Sequence, residues 1–329
     1  MRDYSALPDA VAETILFRLP MKLILQCRCV CKSWYSLIKS PNFISTYLRK
    51  TLTQNTQMFL HEWDISDKTG CCLLHFHNRD YFHSLLFHLP HNPNCWIQIV
   101  GSVNGLICFS IDQGSVNLVV NFVLCNPLIG HFLSIPPPHS SSSSVTIWDV
   151  KGFGFDETTL DYKILYINSD WDGFIYSLNS NCWKRIAPVP KNWDMQSNSV
   201  VFVNGRFHWF GHGHGSKIRL NMIMVFDVKG EAFDHIPLPK PLAESRYDIV
   251  NVMEFGGSSI AVIQQTDCNE RFVIHIWMMK EYGSVESWVK LTVGFQNRGF
   301  IKRDEVLGFI NKDEVLIKFN KISIVIYSA

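Results

Sequence analysis

Three histidines, His208, His212 and His214, lie within one short stretch of the chain. Imidazoles at this spacing could hold zinc or copper, because neutral ring nitrogens are good ligands for both. No cysteine or carboxylate accompanies them in the Gly211–Gly215 stretch, so the sequence nearby offers nothing to complete or orient such a site. The simpler reading packs His208 beside Trp209 in a strand and leaves Gly-His-Gly-His-Gly as an exposed loop, with no metal. Ten cysteines contain no C-x-x-C pair, and Cys27, Cys29 and Cys31 alternate in an apolar helical stretch at a spacing that suits no zinc site. Gly152-Phe153-Gly154 lacks the third glycine and the following helix of a dinucleotide cradle. Neither a G-x-S-x-G elbow nor a G-x-x-x-x-G-K-[ST] phosphate loop occurs. His75, His77, His83, His88 and His91 read as surface scatter, and Ser140–Ser144 as a linker. No catalytic, cofactor-binding or metal-binding residue is assigned. What remains is binding: Trp148, Trp171, Trp193 and Tyr247, with His212 and His214, fall in or near expected loops, where they could anchor a target protein. Packing of the tryptophans between neighbouring sheets is the open alternative.

The elements that carry these residues are of two kinds. Over Leu7–Ile38, 20 of 32 residues are apolar, against 47% for the chain, and residues 1–50 hold eight Lys/Arg against three Asp/Glu. Val11, Ile15, Leu16 and Leu19 recur at helical spacing and are expected to share one face of a first helix that Pro20 ends. A short second helix fits Lys22–Cys27, a third fits Val30, Trp34, Leu37 and Ile38, and Phe43, Tyr47 and Leu48 suggest one more turn. A segment of this size is near the lower limit for a self-sufficient core. It nevertheless carries more apolar side chains than three short helices can hide, and each fully buried one is worth about 1.5–3 kcal/mol. The surplus is expected to be covered by another protein or by the rest of the chain.

Here the residues carry a resemblance. Leu7-Pro8-Asp9, Ile15-Leu16, Leu19-Pro20, Arg28-Cys29-Val30-Cys31-Lys32-Ser33-Trp34 and Leu37-Ile38 resemble the F-box motif in order and spacing, over about residues 5–48. The resemblance implies a trihelical module that docks on the Skp-type adaptor of a cullin-based ubiquitin ligase. Leu7, Pro8, Leu16, Leu19, Pro20, Val30, Cys31 and Trp34 would face the adaptor or form the module. The chain departs from the family at Cys27, where a bulky aromatic is frequent, and at Gln26, where a basic residue is.

From residue 57 onward the sequence reads as β throughout. Hairpin turns recur near 104, 158, 204, 256 and 312, at Asn104-Gly105, Asp156–Asp161, Asn204-Gly205, Gly256-Gly257 and Asn311–Asp313. Each of the first four units adds a second hairpin, and the first three of these end in proline, as an outer edge strand tolerates. Four strands in about fifty residues is the period of a propeller blade of kelch length. A twisted β-sandwich is the alternative. Gly101–Cys108, Asn126-Pro127, Gly152–Asp156, Asn204-Gly205 with His208-Trp209, and Glu286-Ser287-Trp288 resemble the plant F-box-associated interaction domain.

The expected fold is therefore α+β and multidomain. A trihelical F-box (1–50) is followed by a connecting segment whose strands complete the propeller (51–96) and by an F-box-associated, kelch-like β-propeller (97–329). About six blades are expected, the first and last incomplete, with ring closure mixing strands from both ends of the domain. The resemblance implies a non-catalytic substrate-recognition subunit of a Skp-cullin-F-box (SCF) ubiquitin ligase. Its partners would be a Skp-type adaptor, through it a cullin, and a target protein, with no cofactor. A glycan-binding or enzymatic propeller with a helical cap, and an F-box protein acting outside a ligase, remain as alternatives. A formal net charge of +1 argues against a nucleic-acid partner. The lack of any apolar run of about 18 residues argues against a membrane span. Without a signal-peptide pattern or an N-x-S/T sequon, the cytoplasm or nucleus is expected.

Overall fold

The computed structural model describes residues 8–19, 21–40, 42–44, 46–47, 57–61, 71–78, 81–88, 95–113, 120–126, 130–138, 149–190, 193–214, 219–245, 249–268, 271–295, 305–309, 312, 314–319 and 323–328. The chain divides into two compact units, one of residues 1–89 with 104–106 and 125–132, the other of the remainder.

The first unit opens with three helices, α1 (Asp9–Leu16), α2 (Met21–Cys27) and α3 (Lys32–Lys39), and residues 42–44 and 46–47 are helical again. Apolar spacing builds their shared core from Leu16, Ile24, Ile38 and Phe43, with Phe17, Leu19, Cys27, Trp34, Leu37 and Tyr47 packed around it. The Phe17 and Phe43 rings stack with centroids 4.7 Å apart, and the Tyr47 hydroxyl donates to the Leu19 carbonyl at 3.1 Å. One expectation about α1 is corrected. Ala12 and Leu16 point inward, whereas Val11 and Ile15 are exposed. At about 100° per residue, positions 12 and 16 form one stripe and positions 11 and 15 the next, and the three-helix core has room for only one of them.

Strands β1 (Gln57–His61), β2 (Cys71–Asn78) and β3 (Tyr81–His88) pair with one another as an antiparallel sheet. Four four-stranded sheets follow in chain order. The first is β4 (Cys95–Val103), β5 (Leu106–Gln113), β6 (Val120–Asn126) and β7 (His131–Ile135). The second is β8 (Val150–Asp156), β9 (Asp161–Ile167), β10 (Gly173–Ser177) and β11 (Cys182–Arg185). The third is β12 (Trp193–Val203), β13 (Arg206–His214), β14 (Arg219–Asp227) and β15 (Ala232–Pro237). The fourth is β16 (Ile249–Phe255), β17 (Ser259–Cys268), β18 (Arg271–Met279) and β19 (Trp288–Phe295). A three-stranded sheet of β20 (Glu305–Phe309), β21 (Glu314–Phe319) and β22 (Ser323–Ser328) completes the series. The expected interleaving of strands from the two ends does not occur among the described residues, because β1–β3 and β20–β22 each pair only among themselves.

The turns follow their sequence. Asn104-Gly105 and Asn204-Gly205 take φ values of 51° and 77°, and 52° and 74°, the left-handed pair that a two-residue hairpin needs and that Asn-Gly adopts at least cost. Within the second unit, successive sheets pack face to face. Phe207, Trp209, Met224 and Phe226 of the third sheet meet Val150, Leu165, Ile167 and Ile175 of the second. The alternate residues Phe210, Ile223 and Val225 meet Val252, Ile260, Val262 and Trp277 of the fourth. Burial on both faces explains why these strands read as near-continuous apolar runs rather than alternating ones. First strands pack beside first strands: Ser199 Oγ of β12 bonds both the amide and the carbonyl of Val252 on β16, at 3.1 and 3.2 Å. This is a propeller-like arrangement of sheets.

Candidate functional site

The three helices leave apolar side chains in solvent although their core is complete. Among the described residues ten large hydrophobic side chains are exposed, and six of them, Val11, Ile15, Leu23, Val30, Tyr35 and Ile44, belong to this short segment. Such a concentration in a small module is the composition from which docking surfaces are made. Val30 is the extreme case at 51% exposure, on the turn between α2 and α3. Its position is fixed from both sides. The Val30 amide donates to the Cys27 carbonyl, and Cys31 caps α3 by accepting the Trp34 amide on Sγ at 3.5 Å. Ser40 then accepts the Phe43 amide on Oγ at 3.2 Å and redirects the chain after α3.

The residues named from sequence separate by role. Leu16 is fully buried, and Leu19, Cys31 and Trp34 are partly buried: they build the module. Pro8 and Val30 are exposed. Leu7 and Pro20 lie outside the described residues. Leu23, Tyr35 and Ile44 were not singled out from sequence. The available signal was their offset by one residue from inward positions: Tyr35 follows Trp34, Leu23 precedes Ile24 and Ile44 follows Phe43.

In the second unit, His208 is fully buried and its Nε2 lies 2.7 Å from the Tyr282 hydroxyl, with the rings edge to face at 5.6 Å. Burial, the dominant effect, holds the His208 pKa down to about 4. Burial likewise raises the Tyr282 hydroxyl, against the opposing pull of Arg206. Arg206 Nε pairs with Asp227 Oδ2 at 2.9 Å across the β13–β14 register. At neutral pH this is an uncharged histidine–tyrosine bond tying the third sheet to the β18–β19 connection, with Nε2 committed to a hydroxyl. Nothing in the sequence near His208 points to Tyr282, 74 residues away.

Tyr282→Phe should therefore cost about 1–3 kcal/mol in chemical denaturation, by leaving a buried ring nitrogen unpaired. The lowered His208 pKa also sets a pH dependence. The unfolded imidazole protonates from about pH 6.5 while the folded one resists until about pH 4, so its contribution, about 3 kcal/mol at most, is present above pH 6.5 and lost on acidification through that window. His208→Gln should remove most of that slope, with His275, also lowered by burial and by Lys290, supplying the remainder.

The Gly211–Gly215 stretch is corrected. β13 runs on to His214, and His212 is buried. A Cβ on Gly211 would stand 2.4 Å from Met224 Cε, and one on Gly213 2.0 Å from Met222 Cε, so the glycines make room for the β14 methionines inside a sheet. Trp193 is likewise buried at the start of β12, edge to face with Phe233. Trp171 is partly buried in the β9–β10 turn at a φ of 67°, held by the Asn168 side chain, which accepts the Asp170 and Asp172 amides at 3.1 and 2.9 Å. The His214 side chain, Trp148 and Tyr247 lie outside what is described. Among the described residues no three His, Cys, Asp or Glu side chains come together to hold a metal ion, and no helix is long and apolar enough to cross a membrane.

Comparison with known proteins matches residues 5–46 to the F-box domain and residues 81–328 to the F-box associated beta propeller domain. The chain is similar to the F-box protein CPR1 of Arabidopsis thaliana, 25% identical over 316 residues that span 87% of this chain and 72% of that one. It is also similar to the F-box/kelch-repeat protein At3g23880 of Arabidopsis thaliana, 25% identical over 303 residues, or 87% and 78% of the two chains. Among solved structures, a Mycobacterium tuberculosis puromycin-hydrolyzing peptidase aligns with a TM-score of 0.47 at 9% identity, over 72% of this chain and 39% of that one.

Proposed function

Because the chain belongs to the F-box proteins that carry an F-box-associated β-propeller domain, we propose that it is the substrate-recognition subunit of an SCF-type ubiquitin ligase. The observation that carries this reading is the set of apolar side chains left in solvent on and around the helices, Val30 foremost. In this reading residues 1–50 dock on a Skp-type adaptor, 51–96 connect, and 97–329 hold a target protein. Pro8, Val11, Ile15, Leu23, Val30, Tyr35 and Ile44 face the adaptor, while Leu16, Leu19, Cys31 and Trp34 hold the helices that present them. The adaptor links the chain to a cullin, and the ligase acts in the cytoplasm or nucleus. The chain performs no chemistry itself: tethering target and charged enzyme raises their effective concentration to about the millimolar range. On the described surface, Trp171 is the remaining target-facing candidate from the sequence, since Trp193 and His212 are buried. The purified full-length chain should capture a purified plant Skp-type adaptor at micromolar concentration. Failure of a folded chain to do so ends this reading.

A further inference from the structure

Arg28, on the turn after α2, and Lys39, in the last turn of α3, converge on one exposed side chain. The Arg28 guanidinium carbon lies 5.3 Å from the centroid of the Tyr35 ring, and Lys39 Nζ lies 4.7 Å from the same centroid. The two charges therefore stand within about one Debye length of each other, roughly 8–10 Å, where like charges repel. Among the described residues neither cation has a carboxylate partner. Lys39, and after it Arg28, pull the Tyr35 hydroxyl below its ordinary pKa, so the phenol oxygen sits in the field of both. Exposed Arg18 and Lys32 add positive charge to the same segment, which carries eight basic against three acidic residues over 1–50. The rest of the chain holds the compensating acid, 22 Lys/Arg against 26 Asp/Glu, so the imbalance is local to the docking module.

We propose that the Arg28–Tyr35–Lys39 corner is a carboxylate-binding site, and that the protein covering the exposed apolar side chains brings an aspartate or glutamate to it. The inference rests on the docking reading and adds the chemistry of the partner: an apolar patch bordered by acid. An incoming carboxylate relieves the repulsion between the two cations and can accept hydrogen bonds from the guanidinium, the ammonium and the tyrosine hydroxyl together. Tyr35 then contributes to both halves of the contact, its ring to the apolar patch and its hydroxyl to the polar border. Complementary charge of this kind steers association more than it adds affinity, so its signature is kinetic.

The test is association kinetics of the full-length chain with a purified plant Skp-type adaptor, at about 50 and about 500 mM NaCl. Wild type should lose about ten-fold in association rate across that range. The Arg28→Gln/Lys39→Gln double variant should lose about ten-fold at low salt and most of its salt dependence. Arg28→Lys, which keeps the charge, should remain within about two-fold of wild type, and Lys240→Gln, an exposed lysine of the second unit, should change neither quantity. A double variant with wild-type helicity and thermal midpoint that also kept the wild-type rate and salt dependence would overturn the proposal. So would an Arg28→Lys variant as impaired as the double one, since shape rather than charge would then be at work. Wild type that binds at neither salt concentration refutes the docking reading itself, and the proposal with it.

Discussion

Val30→Asp should abolish adaptor capture at micromolar concentration while leaving the helical content and thermal midpoint of the chain unchanged. Val30 is 51% exposed and is not one of the side chains that form the module's core, so a polar replacement should cost the fold little more than the few tenths of a kcal/mol of an ordinary surface change. In a covered interface the same side chain would have to be desolvated as a carboxylate inside an apolar contact. Losses at such buried central positions reach about 2 kcal/mol or more, a weakening of roughly 30-fold or greater. Leu16→Ala provides the contrast. Leu16 is fully buried in a core of four principal residues, and its truncation costs about 2–5 kcal/mol, so binding and helicity should fall together. Circular dichroism read beside the binding assay separates the two. Equal damage by both variants would mean that Val30 is structural.

Gly152→Val should lower the thermal midpoint by about 6–12 °C, the equivalent of about 3 kcal/mol in a β unit of this size. A Cβ at Gly152 would meet Phe207 Cδ1 at 2.7 Å and Val200 Cγ1 at 2.8 Å. Phe207 is fully buried between the second and third sheets and has nowhere to retreat. At Gly154 the added atom would come within 2.2 Å of the Phe202 ring. The glycine pair thus lets β8 approach the third sheet across a space that a side chain would fill. Gly101→Ala should cost under about 1 kcal/mol, because its Cβ would stand at an ordinary 3.4 Å from Phe153 Cβ. Calorimetry on the three proteins checks the contrast.

Those glycines also show what the sequence could and could not disclose. Asn104-Gly105, Asn204-Gly205 and Gly256-Gly257 announce hairpins because the required positive φ is a local property of the residue pair. The fifty-residue spacing of such turns was enough to group β4–β19 into four four-stranded sheets, but not to place β20–β22, which were expected to mix with strands from the other end and instead pair among themselves. Gly-His-Gly-His, by contrast, has the composition of a loop. It is a strand because Trp193–Met195 of β12 and Arg219–Met222 of β14 pair with it on either side, and the missing Cβ atoms leave room for Met222 and Met224, relations that no local pattern carries. The same limit hid Tyr282 from His208. In the helices, periodicity located α1, α2 and α3 but not which of two adjacent stripes would turn inward on α1. The answer, Ala12 with Leu16, depends on the space that α2 and α3 leave. The candidate surface was foreseen as a surplus of apolar side chains, and structure was needed to name its members.

Hydrogen exchange of the full-length chain, with and without the adaptor, tests most directly whether the helical segment is half of an interface between molecules. Added adaptor should slow exchange in α1, in α2 and at the Cys29–Val30 turn, and leave β12–β19 unchanged. Protection confined to the β-sheets, with the helices exchanging as they do in the free chain, would contradict it.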